Sequence, residues 1–361
     1  MTTGTGQSRW PIIAPILALG FYAASVALRG RGFDIGLDAI LVPVLLAAVF
    51  ASVHHAEVIA HRLGEPYGTL VLTMTVTIIE VALIVSVQLG GEGAPTLARD
   101  TVFSVIMIVC NGLIGLCLLI GGLRYGEQGF RITGANAYLI VLAALAAMTM
   151  VLPNTTEAES GPVYSASQLV FFSAATLALY LVFLYIQTVR HRDYFSLSDV
   201  EAQDDGERPS NRAALASLAF LAVALVAVVL MSKQISMLLE TGARVIGYPQ
   251  AVVGAIVAMI ILLPETVAAL RAARRDQLQK SVNLALGSTL ATIGLTIPAV
   301  AAVNVWLGQP LILGLAPNNV ALLAVTMFAS LITFGSGRTN VLYGAVHLVL
   351  FAAFVFLAFE P

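Results

Sequence analysis

The chain has 361 residues, of which 59% are hydrophobic and only 11% are charged, and its formal net charge is −2. A soluble domain carries charge on about a quarter of its residues, and a soluble chain this apolar would lack a surface to face water. The mean hydropathy of +0.92 therefore excludes an ordinary soluble enzyme and predicts an integral membrane protein. The small net charge also provides no basic field that would attract nucleic acid.

Eleven apolar runs are long enough to cross a bilayer as helices, because a span needs about 20 residues and must pair its own backbone polar groups. The alternating pattern of a transmembrane barrel is absent from the sequence, so we predict an all-α membrane protein. The tenth span is expected to be interrupted at Pro317-Asn318-Asn319. The predicted spans are residues 11–28, 36–56, 67–89, 101–122, 133–152, 166–189, 213–232, 246–270, 282–304, 311–334 and 341–359.

The first run has two interpretations. Arg9 before a short apolar stretch, with Ser25-Val26-Ala27 at its end, resembles a cleavable signal peptide, whereas Arg29 and Arg31 directly behind it favour a retained span. With eleven spans, thirteen of the eighteen Lys and Arg lie on the side of the N-terminus and five on the other side. The positive-inside rule then predicts a cytoplasmic N-terminus.

A ten-residue motif, E-x-x-A-x-x-x-G-x-P, occurs once in each half of the chain, at Glu57–Pro66 and at Glu240–Pro249. Glu80 lies 14 residues beyond the first copy, and Glu265 lies 16 residues beyond the second. Each half therefore places one carboxylate inside an apolar run at a similar distance from the same motif. Two units of five helices enter the membrane from opposite sides because five is odd, which is the inverted repeat of secondary transporters.

This pattern predicts an N-terminal tail and an extra first helix over 1–30, and a first five-helix repeat over 31–189. A cytoplasmic linker over 190–212 then leads into a second five-helix repeat over 213–361. An acidic cluster in the linker is typical of a solvated loop, or of a weak cation-collecting or regulatory segment. The cluster consists of Asp199, Glu201, Asp204, Asp205 and Glu207.

Glu80 and Glu265 are the candidate sites for cations and protons. An ionised carboxylate in the middle of a membrane is expensive, so such a residue usually faces a cavity or a partner. The alternative is a protonated Glu that hydrogen-bonds to a neighbouring helix.

Polar residues accompany both glutamates at helical spacing. They are Thr77 on the stripe of Glu80, Asn111 in the following span, and Ser288, Thr292 and Thr296 in the span after Glu265. Their oxygens are hard ligands, which suit a transported Ca²⁺ or Na⁺ and do not suit zinc or copper. Each Ser or Thr taken alone is more often a helix-to-helix hydrogen bond than an ion ligand.

Glu57 and Glu240 are marked by the motif, so they either line or gate the ion pathway or have structural roles at helix ends. Pro264, directly before Glu265, leaves a carbonyl of the preceding turn without its helical donor. A bound cation or a simple packing kink accounts for that carbonyl.

Several other groups have weaker claims to function. His54 and His55 either relay protons or are bystanders at the membrane interface. His347 has no counterpart in the other half, so no role is assigned to it. Close helix packing is the expected role of Gly112, Gly115, Gly287 and Gly294.

Two segments carry a resemblance to a known family. HHAEVIAHRLGEPYGTLVLTMTVTIIEVALIVSVQL and LLPETVAALRAARRDQLQKSVNLALGSTLATIGLTIPAVA resemble the two repeat motifs of bacterial ChaA-type calcium/proton antiporters. These antiporters form part of the cation/proton exchanger branch of the calcium/cation antiporter superfamily. The resemblance implies eleven spans, an inverted repeat, a bacterial inner-membrane location and one essential acid per repeat, at Glu80 and Glu265. It also implies that Glu57, Asn111 and Thr292 help to line the pathway.

The chain departs from this family at the residues before each essential acid. Many members carry Gly-Asn-Ala there, whereas this sequence has Thr77-Ile78-Ile79 and Leu262-Leu263-Pro264. The missing Asn side chains change the set of oxygen ligands and with it the expected ion preference.

The sequence therefore predicts a secondary antiporter that exports cytoplasmic Ca²⁺ in exchange for protons by alternating access. Two facing carboxylates can hold one divalent cation or two protons, but not both. A Na⁺ or K⁺ exchanger uses the same parts and is the alternative. A channel fits the hydropathy but does not require paired carboxylates in a repeat, and a structural membrane subunit needs neither Glu.

No phosphate loop or nucleophile constellation appears in the sequence, so an enzyme is not expected. No cofactor is predicted. The expected partners are inorganic cations, protons and the lipid bilayer, with no nucleic acid, and the sequence leaves a homo-oligomer open.

Overall fold

The computed structural model describes residues 9–64, 67–90, 95–195 and 208–360. In this part of the chain, eleven helices are long and apolar enough to cross a membrane, which confirms the predicted class and the number of spans. They are α1 (Trp10–Leu28), α2 (Asp34–Leu63), α3 (Tyr67–Gly90), α4 (Leu97–Tyr125), α5 (Ile132–Asn154), α6 (Ala166–Arg190), α7 (Asn211–Ile246), α8 (Gln250–Ala273), α9 (Leu278–Leu307), α10 (Pro317–Gly335) and α11 (Val341–Phe359).

The helices group into two compact units. The first comprises residues 1–90 and 206–239, and the second comprises residues 91–205 and 240–361. The first unit thus holds α1 to α3 and most of α7, and the second holds the remaining helices. A packing unit is not a sequence repeat, so the division into repeats over 31–189 and 213–361 stays a prediction.

In the first unit, α2 packs between α1 and α3. Small and polar contacts tie α7 to this group, as is usual between membrane helices. Ser232 Oγ lies 2.5 Å from Ser86 Oγ of α3, and Gln234 Nε2 donates to Ser25 Oγ of α1 at 2.6 Å. Leu221 of α7 packs against Ala56 of α2 in a small apolar cluster.

In the second unit, α4 is the central helix, and both α8 and α11 pack along it. Two short strands, β1 (Gln128–Gly129) and β2 (Arg338–Thr339), pair antiparallel and join the α4–α5 connection to the α10–α11 connection. An isolated bridge between Val163 and Ile312 joins the α5–α6 connection to the α9–α10 connection. If α2–α6 and α7–α11 are the two repeats, these contacts are reciprocal. The third connection of each repeat pairs with the fourth connection of the other.

The repeated motif ends two helices in the same way. Gly64, at the end of α2, has φ 69°, and its N–H donates to the carbonyl of Ala60 at 2.9 Å. Gly247, at the end of α7, has φ 78°, and its N–H donates to Ala243 at 2.8 Å. In both cases the glycine N–H pairs with a carbonyl of the last turn, and the positive φ turns the chain out of the helix. The Ala and Gly of the motif are therefore a helix stop, and only its glutamates remain candidates for function.

The second copy of the motif continues into the next helix, because Pro249 is the residue that caps the start of α8. In the first copy, Glu65 and Pro66 lie outside the described residues. The acidic cluster of the linker also lies outside them.

Three predicted span boundaries are wrong by six residues or more. The second helix runs to Leu63, seven residues past its predicted end at residue 56. The tenth span is not interrupted at Pro317, because α10 begins there and a proline at the first helical position lacks only an N–H that would have no helical partner. The seventh helix runs to Ile246, well past the predicted end at residue 232. Its polar residues Ser232 and Gln234 find side-chain partners, so the helix continues through them.

We expect Gly64→Ala and Gly247→Ala each to lower the free energy of unfolding by about 1 kcal/mol, because alanine is strained at a positive φ. No neighbouring atom lies within 4 Å of a Cβ added at either position, so steric crowding adds nothing to this loss of stability. The control is Gly20→Ala in α1, which is equally uncrowded and has no positive φ. Thermal unfolding of the purified protein in detergent measures the effect. Equal midpoints for all three variants would contradict the role of the two glycines as caps.

Candidate ion-transport site

Glu80 lies near the middle of α3, and its side chain is only 1% exposed. Thr77, one helical turn earlier, is buried as well. The spacing of three residues places both side chains on one face of the helix. The first half of the chain thus buries a carboxylate next to a hydroxyl, as the sequence predicts.

Glu265 lies in α8 and is half-buried. The helix continues past the preceding residue, the buried Pro264, to Ala273. Because proline has no N–H, the carbonyl of Ile260 loses its helical donor one turn before the carboxylate. This turn offers a backbone oxygen close to Glu265 along the helix.

A π-helical turn interrupts the span that comes after each glutamate. It covers Ile108–Leu113 in α4 and Thr292–Thr296 in α9. The two turns begin 28 residues after Glu80 and 27 residues after Glu265. Such turns widen the helix and redirect backbone carbonyls, and they occur often at functional sites.

The π-helical turns contain three of the predicted pathway residues. Asn111 lies in the first turn and is fully buried, and Thr292 and Thr296 are buried in the second. Ser288, one turn earlier in α9, is half-buried. The sequence predicts the polar residues but not the altered helix that presents them.

Asn111 is held by side chains from two other helices. Its Nδ2 donates to Thr326 Oγ1 of α10 at 2.9 Å, and its Oδ1 lies 3.1 Å from Nδ1 of His347 in α11. The other ring nitrogen of His347, Nε2, lies 3.0 Å from Thr333 Oγ1 of α10. All four side chains are buried. We call this set the Asn111 network.

The profile of the family described as sodium/calcium exchanger protein matches residues 33–189 and 216–360. The chain belongs to this family. It is therefore a multi-pass membrane exchanger and not an enzyme, and the predicted resemblance to calcium/cation antiporters is confirmed.

Individual proteins agree with this assignment. The exchanger is 49% identical over 319 residues to y4hA of Sinorhizobium fredii, named as a putative ionic transporter, and the match covers 88% of this chain and 87% of that protein. It is 37% identical over 359 residues to the sodium-potassium/proton antiporter ChaA of Escherichia coli, with 98% and 97% covered. A crystal structure of the Ca²⁺/H⁺ antiporter YfkE has the same fold, with a TM-score of 0.72 at 17% identity over 97% of this chain and 99% of that chain.

Glycines of the exchanger allow the helices around the π-helical turns to approach closely. A Cβ on Gly115 of α4 would lie 3.0 Å from the Cβ of His347, and a Cβ on Gly344 of α11 would lie 2.6 Å from the backbone nitrogen of Leu119. In α9, a Cβ on Gly294 would lie 2.5 Å from the Cβ of Tyr180 in α6. The packing role predicted for Gly115 and Gly294 is confirmed, and Gly344 shares it.

The other predicted residues do not belong to the π-helical turns. Glu57 is exposed on α2, and the side chain of Glu240 in α7 lies outside the described part. His55 is bound within the first unit, where Nε2 donates to the carbonyl of Pro11 at 2.9 Å and the ring stacks on Phe220. The ring of His54 contacts that of His55.

Sequence reasoning missed two buried polar features. The repeat gives no signal for His347, which lacks a counterpart in the other half, although an imidazole in a membrane span is itself a functional signal. Asp100 stands just before the predicted fourth span and carries no signal of burial in the sequence. It is 5% exposed near the start of α4 and pairs at 2.8 Å with Arg99, whose guanidinium also donates to the carbonyl of Gly314.

We expect Gly344→Ala to lower the free energy of unfolding by about 1–3 kcal/mol, because the added methyl group would overlap the backbone of α4. The control is Gly335→Ala at the end of α10, where no atom lies within 4 Å of the added Cβ. Thermal unfolding of both purified variants checks this. Equal stability would show that α11 does not pack on α4 through Gly344.

Proposed function

We propose that the exchanger exports a cytoplasmic cation, Ca²⁺, in exchange for protons, with its N-terminus in the cytoplasm. The observation that carries the proposal is the matched spacing between a membrane glutamate and a π-helical turn in the next span. Glu80 is followed by Ile108–Leu113, and Glu265 is followed by Thr292–Thr296. The π-helical turns of α5 and α6, at Ala147–Val151 and Ile186–Arg190, follow spans without a glutamate.

The exchange is a consequence of the charge of the two carboxylates. A carboxylate away from water is stable only when a proton or a cation neutralises it. In their ionised forms Glu80 and Glu265 carry two negative charges, so one divalent cation or two protons neutralise them. Proton binding therefore displaces the cation, which couples the two fluxes.

Neutral oxygens accompany each carboxylate along the chain. Ca²⁺ takes about six to eight oxygen ligands, which include carboxylates, amide and backbone carbonyls and water. Asn111, the hydroxyls of Thr77 and Thr292, and the carbonyl released by Pro264 belong to this class of donor. No resident cofactor is needed, since the cation is the cargo.

Alternating access is supported by the signs of an inverted repeat. The family profile matches two segments, 33–189 and 216–360. The reciprocal pairings of β1 with β2 and of Val163 with Ile312 fit the same two halves. In an inverted repeat each half can adopt the conformation of the other, which opens the pathway to one side and then to the opposite side.

A Na⁺ or K⁺ exchanger is the second candidate, and two observations favour it. The E. coli relative, which matches 98% of this chain, is named a sodium-potassium/proton antiporter. YfkE, named a Ca²⁺/H⁺ antiporter, shares only the fold at 17% identity. The absence of the two Asn side chains before the glutamates also leaves fewer amide oxygens for a divalent ion.

In everted membrane vesicles, Ca²⁺ should collapse a preformed pH gradient when the wild-type protein is present. Glu80→Gln and Glu265→Gln should abolish this response, because the amide cannot exchange a proton for a cation. The matched control is Glu127→Gln, which should leave the response unchanged. Glu127 is exposed outside the spans, and its Oε2 lies 3.8 Å from Nη1 of Arg338. Cation flux that does not depend on the pH gradient would indicate a channel instead of an antiporter.

The half-saturating Ca²⁺ concentration should rise as pH falls, because protons compete for the same carboxylates. The same vesicles, titrated with Ca²⁺, Na⁺ and K⁺ at several pH values, measure this dependence. A response to Na⁺ or K⁺ without one to Ca²⁺ would establish the second candidate in place of the first. Half-saturation that does not change with pH would contradict competition for either ion.

A further inference from the structure

We infer that His347 is a positioning residue for transport, which acts by fixing the carboxamide of Asn111. This role rests on the proposed function. His347 is a buried side chain without a counterpart in the other repeat, and the antiport mechanism proposed above gives it no role.

The hydrogen bonds of the Asn111 network run in one direction. With Asn111 Oδ1 facing the ring, as it does in this structure, Nδ1 of His347 carries the proton and donates across the 3.1 Å contact. In the neutral imidazole Nε2 is then an acceptor, and the hydroxyl of Thr333 donates to it. At the other end Asn111 Nδ2 donates to Thr326, whose hydroxyl lies 3.6 Å from the sulfur of Met107. With His347 neutral, each of these polar groups of the Asn111 network has a hydrogen-bond partner.

These contacts fix the carboxamide of Asn111 at both ends. An isolated Asn can rotate its amide by 180° and exchange its oxygen for its nitrogen. Here the amide can rotate only if the proton of His347 moves from Nδ1 to Nε2 and the hydroxyls of Thr326 and Thr333 reverse, because otherwise two donors would meet. The direction in which the oxygen of Asn111 points is therefore coupled to the tautomer of His347.

A fixed carbonyl oxygen is what a cation pathway requires. Oδ1 has two lone pairs, and the bond from His347 occupies only one of them. The second lone pair is a neutral hard ligand that is already oriented when the ion arrives. A ligand ordered in advance avoids the entropic cost of being ordered on binding.

The placement of this network supports such a role. Asn111 lies in the π-helical turn of α4, and both this turn and α11 contact α8, the helix that carries Glu265. The close approach of α11 to α4 at Gly115 sets the depth of His347.

Two substitutions of His347 test the contributions of its two ring nitrogens separately. In His347→Asn the side-chain NH₂ group occupies the place of Nδ1–H and can still donate to Asn111. In His347→Gln the amide reaches the place of Nε2 near Thr333 and leaves Asn111 without its donor. The half-saturating cation concentration and the maximal rate of pH-gradient collapse are measured for both variants, with Glu265→Gln and wild type alongside.

We expect His347→Gln to raise the half-saturating concentration about fivefold to tenfold, the effect of one lost hydrogen bond, with little change in maximal rate. His347→Asn should stay within about twofold of wild type, on the same principle that a retained hydrogen bond retains its free energy. A purely structural role would lower the thermal unfolding midpoint of both variants without this difference in half-saturation. Two variants that both transport like wild type would overturn the inference.

A proton-carrying role for His347 gives a different result. Both variants would then lose the pH dependence of half-saturation to the same extent, and the positioning role would be overturned. If the variants do not accumulate in the membrane, Thr326→Val removes the other anchor of Asn111, and Thr326→Ser retains it. Thr326→Val should raise half-saturation while Thr326→Ser should not, and no difference between them would overturn the inference.

The same experiment separates this role from the proposed function. Wild-type protein that shows no cation-dependent proton flux would overturn both. Flux that is abolished by Glu265→Gln but is equal in wild type and in both His347 variants would overturn only the positioning role.

Discussion

Every polar group inside a bilayer must find its partner within the protein, and the architecture of this exchanger is a consequence of that constraint. Helices satisfy it locally, which is why the described spans are all helical. Departures from this pattern are candidates for function. Those that occur in both halves at similar spacing are the two glutamates in α3 and α8 and the π-helical turns of α4 and α9.

The same constraint explains why helix packing and ion chemistry depend on each other in the second unit. A buried amide or imidazole is stable only if a neighbouring helix brings a partner within about 3 Å. Gly115 and Gly344 allow α11 to lie against α4 at the distance at which His347 meets Asn111. Small residues in these helices thus support the polar network as well as the packing.

The repeated motif marks both the end of one helix and the position of the glutamate in the next helix. Its Ala and Gly residues end α2 and α7 in the same way, with a positive-φ glycine whose N–H donates to the carbonyl of the alanine. A helix stop at a similar distance before Glu80 and Glu265 helps to set how far each carboxylate lies along its span. The motif is therefore informative about function chiefly because it fixes the register of the glutamate-bearing helix behind it.

The sequence by itself determined the class of the protein, its eleven spans and the family, because hydropathy and spacing are local properties of the chain. It also singled out Glu80 and Glu265, since a charge in an apolar run is visible without a structure. The start of α10 at Pro317 and the length of α7 were not predictable from hydropathy, because caps and side-chain partners decide where a helix ends. Only the tertiary structure decided the surroundings of His347, whose partners Asn111 and Thr333 come from two other helices and leave no periodic signal in the sequence.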